Sequence, residues 1–73
     1  MNLTQLAVKL SNGGVPTDAY SLSGGLPNEA YCIEKSGGRW HVYYSERGRR
    51  TGLVDFDGEN EACEHLYSLV AKK

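Results

Sequence analysis

The residue types that chemistry uses gather in the middle of this chain: Cys32, His41, Tyr43 and Asp55. A histidine oriented by a carboxylate beside a thiol has the ingredients of nucleophilic catalysis: the imidazole takes the proton and the carboxylate holds the ring. The competing reading is a set of ordinary cross-strand pairs on a solvated sheet, each worth ~0.2–1 kcal/mol. A small flat sheet offers no cleft to exclude water, and clefts are where such sites form. The expectation is a chain without enzymatic activity.

Metal chemistry has even less to work with. Cys63 and His65 stand two apart on an expected helix and point in different directions. No second cysteine pair sits at ligand spacing, so neither a metal nor any other cofactor is expected. Cys32 and Cys63 are expected on opposite sides of the sheet, whereas a disulfide needs Cα atoms within ~7 Å. Two reduced thiols suit a cytoplasmic protein.

The elements that position these groups can be counted out. Ala30 to Lys35 and Arg39 to Tyr44 are rich in β-branched and aromatic residues, and Ser36-Gly37-Gly38 separates them. A Gly-Gly pair supplies both positive-φ positions of a tight hairpin. That turn sets Ile33 opposite Val42, Tyr31 opposite Tyr44 and Lys35 opposite Trp40. Side chains alternate faces, so Tyr31, Ile33, Trp40, Val42 and Tyr44 form the core face. A second turn at Arg47-Gly48-Arg49 leads to Thr51 through Phe56. A three-residue loop, or a bulge at Gly52 with the same outcome, puts Val54 on Val42 and Phe56 on Trp40. A one-residue slip would scatter the apolar set. The outer face then carries Cys32, Glu34, His41, Tyr43, Leu53 and Asp55.

Helices flank these strands. Leu3, Leu6, Ala7 and Leu10 recur at helical spacing, with Asn2 as a cap and Asn12-Gly13-Gly14 as the stop. After the last strand, Asp57 is placed to cap a helix. Glu59 and Glu61 suit its positive end, Lys72 and Lys73 its negative end. Its stripe is Ala62, Leu66, Leu69 and Val70, and Trp40 and Phe56 are expected to bury against Leu66 and Leu69. A turn of helix is expected within Val15–Tyr20. The fold class is therefore α+β in the order α-β-β-β-α: a three-stranded antiparallel sheet with both helices on one face. Ser21-Leu22 is the candidate for a short extra edge strand.

Composition bounds the rest. One domain of 73 residues buries only about 60% of its unfolded surface, for a stability on the order of 5 kcal/mol. No stretch approaches the ~20 apolar residues that span a bilayer, and no signal-peptide pattern opens the chain.

Partners are the remaining question. Arg47, Arg49 and Arg50 make a basic hairpin tip that could touch phosphate, and the element order is also that of double-stranded RNA-binding domains. Yet the second helix opens with Asp57-Gly58-Glu59-Asn60-Glu61 and the net charge is −1. Both features argue against nucleic acid, which calls for a basic excess. An outer face mixing His41, Tyr43 and Leu53 with Asp55 suits a protein partner, or a second copy that covers the open sheet.

The residues also carry a resemblance. Leu26-Pro27-Asn28-Glu29-Ala30-Tyr31-Cys32-Ile33, then Trp40 through Gly48, then Phe56-Asp57 with Glu61-Ala62-Cys63, are similar to small bacterial proteins that accompany polymorphic toxins as predicted immunity partners. The resemblance spans roughly residues 26–63. It implies a cytoplasmic binder of a cognate toxin with no chemistry of its own. The contact surface expected on that reading comprises the loop from Ser23 to Glu29, the outer-face residues His41, Tyr43, Leu53 and Asp55, and Arg47, Arg49 and Arg50.

Overall fold

A computed structural model describes residues 1–71 of the chain; Lys72 and Lys73, expected at the end of the second helix, lie outside them. The elements are α1 (Leu3–Asn12), a 3-10 turn (Thr17–Ala19), β1 (Tyr20–Ser21), β2 (Ala30–Ser36), β3 (Arg39–Glu46), β4 (Arg49–Phe56) and α2 (Glu59–Val70).

The first hairpin follows the glycine pair. Gly37 and Gly38 both take positive φ, 60° and 81°, and the β2–β3 register pairs Ile33 with Val42, Tyr31 with Tyr44 and Lys35 with Trp40. The second hairpin reaches the expected register through the bulge at Gly52, one of the two routes expected. Glu46 pairs with Arg49, so the loop is only Arg47-Gly48, and the ladder shifts between Val42 and Tyr44 before Val54 meets Val42 and Phe56 meets Trp40. The expected three-residue loop is thus a two-residue turn plus a bulge at Gly52, whose φ is 63°. Arg47 sits at φ 52°, a conformation costing a non-glycine residue roughly 1–2 kcal/mol.

The fold is α+β, but its sheet is four-stranded and mixed, in the order β1-β2-β3-β4. The short extra edge strand expected at Ser21-Leu22 forms one residue earlier, as β1, and corrects the three-stranded antiparallel sheet by running parallel to β2 through Tyr20↔Tyr31 and Ser21↔Cys32. Two residues are too few for their sequence to show the direction of pairing. Their consequence is large, because a parallel neighbour requires the chain to travel back along the sheet before the next strand begins.

One face of the sheet carries the apolar core. Leu6 and Leu10 of α1, Ile33, Val42, and Ala62, Cys63, Leu66 and Val70 of α2 form one buried cluster, with Trp40, Phe56 and Leu69 partly buried against it. Trp40 and Phe56 sit on the β4 side of this core and are half-buried, less covered than expected.

Caps and ties fix the helices. Asn2 and Gln5 form a reciprocal capping box at the start of α1. The cap of α2 is Gly58, with no side-chain cap bond, rather than Asp57, whose carboxylate instead takes Arg39. Glu59 reaches across to accept the Leu3 amide at 2.9 Å, and the Met1 amino group donates to Asn60 Oδ1. These two contacts clamp the start of α1 onto the first turn of α2.

Candidate functional site

The outer face of the sheet was expected to lie open. In the structure its β2 half is roofed. Residues 22–29, on the way from β1 to β2, cross this face because α2 occupies the other. Tyr43 Oη donates to the Gly25 carbonyl at 2.7 Å and Ser45 Oγ to the Pro27 carbonyl at 2.6 Å. Under this roof Ala30, Cys32, Tyr43 and Ser45 are buried, Tyr43 to 1% exposure. Gly24 lies so close to Glu34 that a Cβ there would approach Glu34 Cβ to 2.9 Å. The segment follows the sheet this closely because Gly24 has no side chain.

Tyr43 is therefore removed from the expected contact surface. It supports the roof and offers no exposed aromatic anchor. Burial pushes its hydroxyl up to about 12 and also raises the Cys32 thiol, both by disfavouring the charged form. Cys32 is thus a neutral, enclosed thiol 3.8 Å from the Ala30 carbonyl, unlike a reactive cysteine in an electropositive, accessible setting.

The half of the face nearer β4 stays exposed and polar. His41 Nδ1 meets Asp55 Oδ1 at 2.6 Å, as their cross-strand pairing implies, and His41 Nε2 faces the Ser36 carbonyl at 3.3 Å. Arg39 lies 3.8 Å from Asp55 and also pairs with Asp57. Each exposed pair is worth about 0–1 kcal/mol. Both nitrogens of His41 face acceptors, so neither addresses a space where a substrate could sit. Among the described residues, no three of His, Cys, Asp and Glu gather to hold a metal ion.

The arginine turn is divided. Arg50 is committed to the sheet: its guanidinium lies 3.3 Å from Glu34 Oε2 and 4.7 Å above the Tyr43 ring. Arg47 and Arg49 border a shallow depression of about 440 Å³ with Glu46 and Thr51. The backbone amide of Arg47 donates to Asn28 Oδ1 at 3.4 Å, tying the turn to the roof. A more enclosed hollow of about 220 Å³ lies elsewhere, between the chain after α1 and the end of α2, bordered by Val15, Pro16, Tyr67 and Val70.

The most open feature is the outer strand β4. It is the last in the sheet order, and every residue from Arg49 to Asp55 is exposed, including Leu53 at 46% and Val54 at 40%. Its outer edge presents main-chain groups that no strand of this sheet occupies. Of the expected contact residues, His41, Leu53, Asp55, Arg49 and Arg50 line this edge or adjoin it, Arg47 caps one end, and Tyr43 lies beneath the roof. The sequence reading missed Arg39 and Asp57 at the far end of the strip. The opposite charges flanking β3 and β4 were the available signal.

No protein-family model, no curated protein and no solved structure matches the chain. Among the described residues no helix is long and apolar enough to cross a membrane.

Proposed function

We propose that this chain is a non-enzymatic protein-binding module of the cytoplasm, of the kind formed by immunity proteins that neutralise a cognate bacterial toxin. The observation that carries the reading is the β4 edge. Eight residues of unroofed edge strand with exposed Leu53 and Val54 make a template on which another polypeptide can add a strand. Arg39, Asp55 and Asp57 beside it supply charges, and His41 a polar group, that set register and orientation. Nucleic acid at the hairpin tip is the weaker reading, because Arg50 is held by Glu34 and only Arg47 and Arg49 remain for phosphate.

The test is capture of partners from a bacterial lysate with tagged protein, at low and moderate salt, beside a Leu53→Lys, Val54→Lys variant. One stoichiometric protein that survives moderate salt and is lost with the variant is the expected result. Nucleic acid that elutes with salt, or a protein captured equally by the variant, would move the functional surface away from β4.

A further inference from the structure

Among the described residues, three aromatic rings carry a cation from the chain itself: Lys9 over Tyr67 at 4.9 Å, Lys35 over Trp40 at 5.9 Å and Arg50 over Tyr43 at 4.7 Å. Tyr31 and Tyr44 form a pair that none of these cations covers. They face each other across β2 and β3, with ring centroids 4.8 Å apart and planes tilted by 57°. Both border a hollow of about 350 Å³ on the helix side of the sheet, whose other walls are Ala19, Glu29, Leu69 and Val70. That volume falls within the ~300–1,000 Å³ of small-ligand pockets. Three features of the hollow are negative. The faces of the tyrosine rings are electronegative and attract a cation within ~6 Å. Glu29 is exposed where the roof turns into β2, and no ion pair among the described residues holds its carboxylate. Helix α2 ends at Val70 with no basic residue in its last turn, so it brings the negative pole of its dipole to the same wall. Glu46 counts for less, because it shares its depression with Arg47 and Arg49. Burial, together with the charges of Glu29 and Glu46, pushes the Tyr44 hydroxyl up, the direction that a negative surrounding gives.

We propose that this hollow is a binding site for an alkylammonium group, the chemistry shared by a lysine side chain and a free aliphatic amine. The methylene stem lies against Ala19, Leu69 and Val70, while the ammonium sits at the rings of Tyr31 and Tyr44 and pairs with Glu29. An apolar stem with a charged head suits a wall where apolar side chains stand beside negative ones. The site makes no use of the outer edge of β4, so it stands or falls separately from the partner proposed for that edge.

Titration of the full chain with n-butylammonium, followed through the ring resonances of Tyr31 and Tyr44, is the test, and n-butanol is the neutral control of similar size. The expected result is a saturable shift of both tyrosines with the amine, and binding of the alcohol weaker by about fivefold or more. Glu29→Gln keeps the shape of an exposed side chain and removes its charge. It should weaken the amine by about threefold and leave resonances outside the hollow unmoved. Nα-acetyl-lysine methylamide separates the two sources. Binding comparable to that of butylammonium admits a lysine within a polypeptide, binding of butylammonium alone assigns the hollow to a free amine, and either result supports the site. A Lys72→Gln, Lys73→Gln variant checks the chain's own amines, and an unchanged affinity for butylammonium is expected. Binding that emerges only in that variant would overturn an external ligand. No saturable shift, equal binding of butanol, or an unaltered affinity in Glu29→Gln overturns the site.

Discussion

The two faces of the sheet are covered by different means. On the helix side, Leu6, Leu10, Ile33, Val42 and Leu66 exclude water by packing alone, all of them fully buried. On the other side a segment without regular structure does the covering, held by hydroxyls that reach its carbonyls: Tyr43 to Gly25 and Ser45 to Pro27. Apolar burial is non-directional, whereas each hydroxyl must meet one particular oxygen. The first face supplies most of the stability. The second decides where the loop lies, and hence that β4 remains open while β2 and most of β3 are closed.

Four experiments would break or sharpen that contrast. The largest effect is expected on the helix face: Leu66→Ala should cost about 2–5 kcal/mol, a large share of the stability of so small a domain, and urea titration should find little folded protein. On the roofed face Gly24→Ala should cost about 1–2 kcal/mol, since φ is +74° and the added carbon meets Glu34. Its proteolysis should begin within residues 22–29 while the helices stay protected. Tyr43→Phe keeps the ring and leaves the Gly25 carbonyl without its donor, for a loss of about 1 kcal/mol. A loss as large as that of Leu66→Ala would show that the roof is part of the core and erase the distinction.

The smallest effect is a slope with pH. Burial raises Tyr43 from 10.0 to about 12 and raises Cys32 and Cys63 above 9.0. Between those limits the unfolded chain has released protons that the folded chain still holds, so stability falls as pH rises from about 9 towards about 12. Below that window the three groups are neutral in both states and contribute no slope. Tyr43→Phe should remove its share of the decline, read as a flatter denaturation midpoint against pH.

The same contrast explains what the sequence revealed. Helix α1, its Asn2 cap and Gly13 stop, the β2–β3 register and the His41–Asp55 pairing all rest on local spacing or turn chemistry, and all are legible from residue types. Val54 was correctly set on Val42 and Gly52 was named as one route to it, whereas the two-residue length of the turn, with Arg47 at positive φ, was not read. The roof was not legible. It depends on a parallel pairing of two residues, Tyr20 and Ser21, and on oxygens that belong to the main chain and leave no trace in side-chain identity. The one hint was Ser45, a small hydroxyl two residues from Tyr43 on the same face. Because the roof was missed, Tyr43 was placed on the wrong side of the line between support and contact.

The clamp between the two helices bears on the order in which the chain folds. The two hairpins join neighbouring segments through two-residue turns, and such units form in ~1–10 μs. The bond from Leu3 to Glu59 closes a separation of 56 residues, and a contact so distant carries a closure entropy that must be met before it contributes anything. The meander should therefore assemble first, with α2 settling on it from the adjacent sequence. α1 arrives last, after the main barrier, bringing the first ten or so residues back to a scaffold already standing. Substitutions at the Glu59 contact should accordingly speed unfolding and leave the rate of folding almost unchanged.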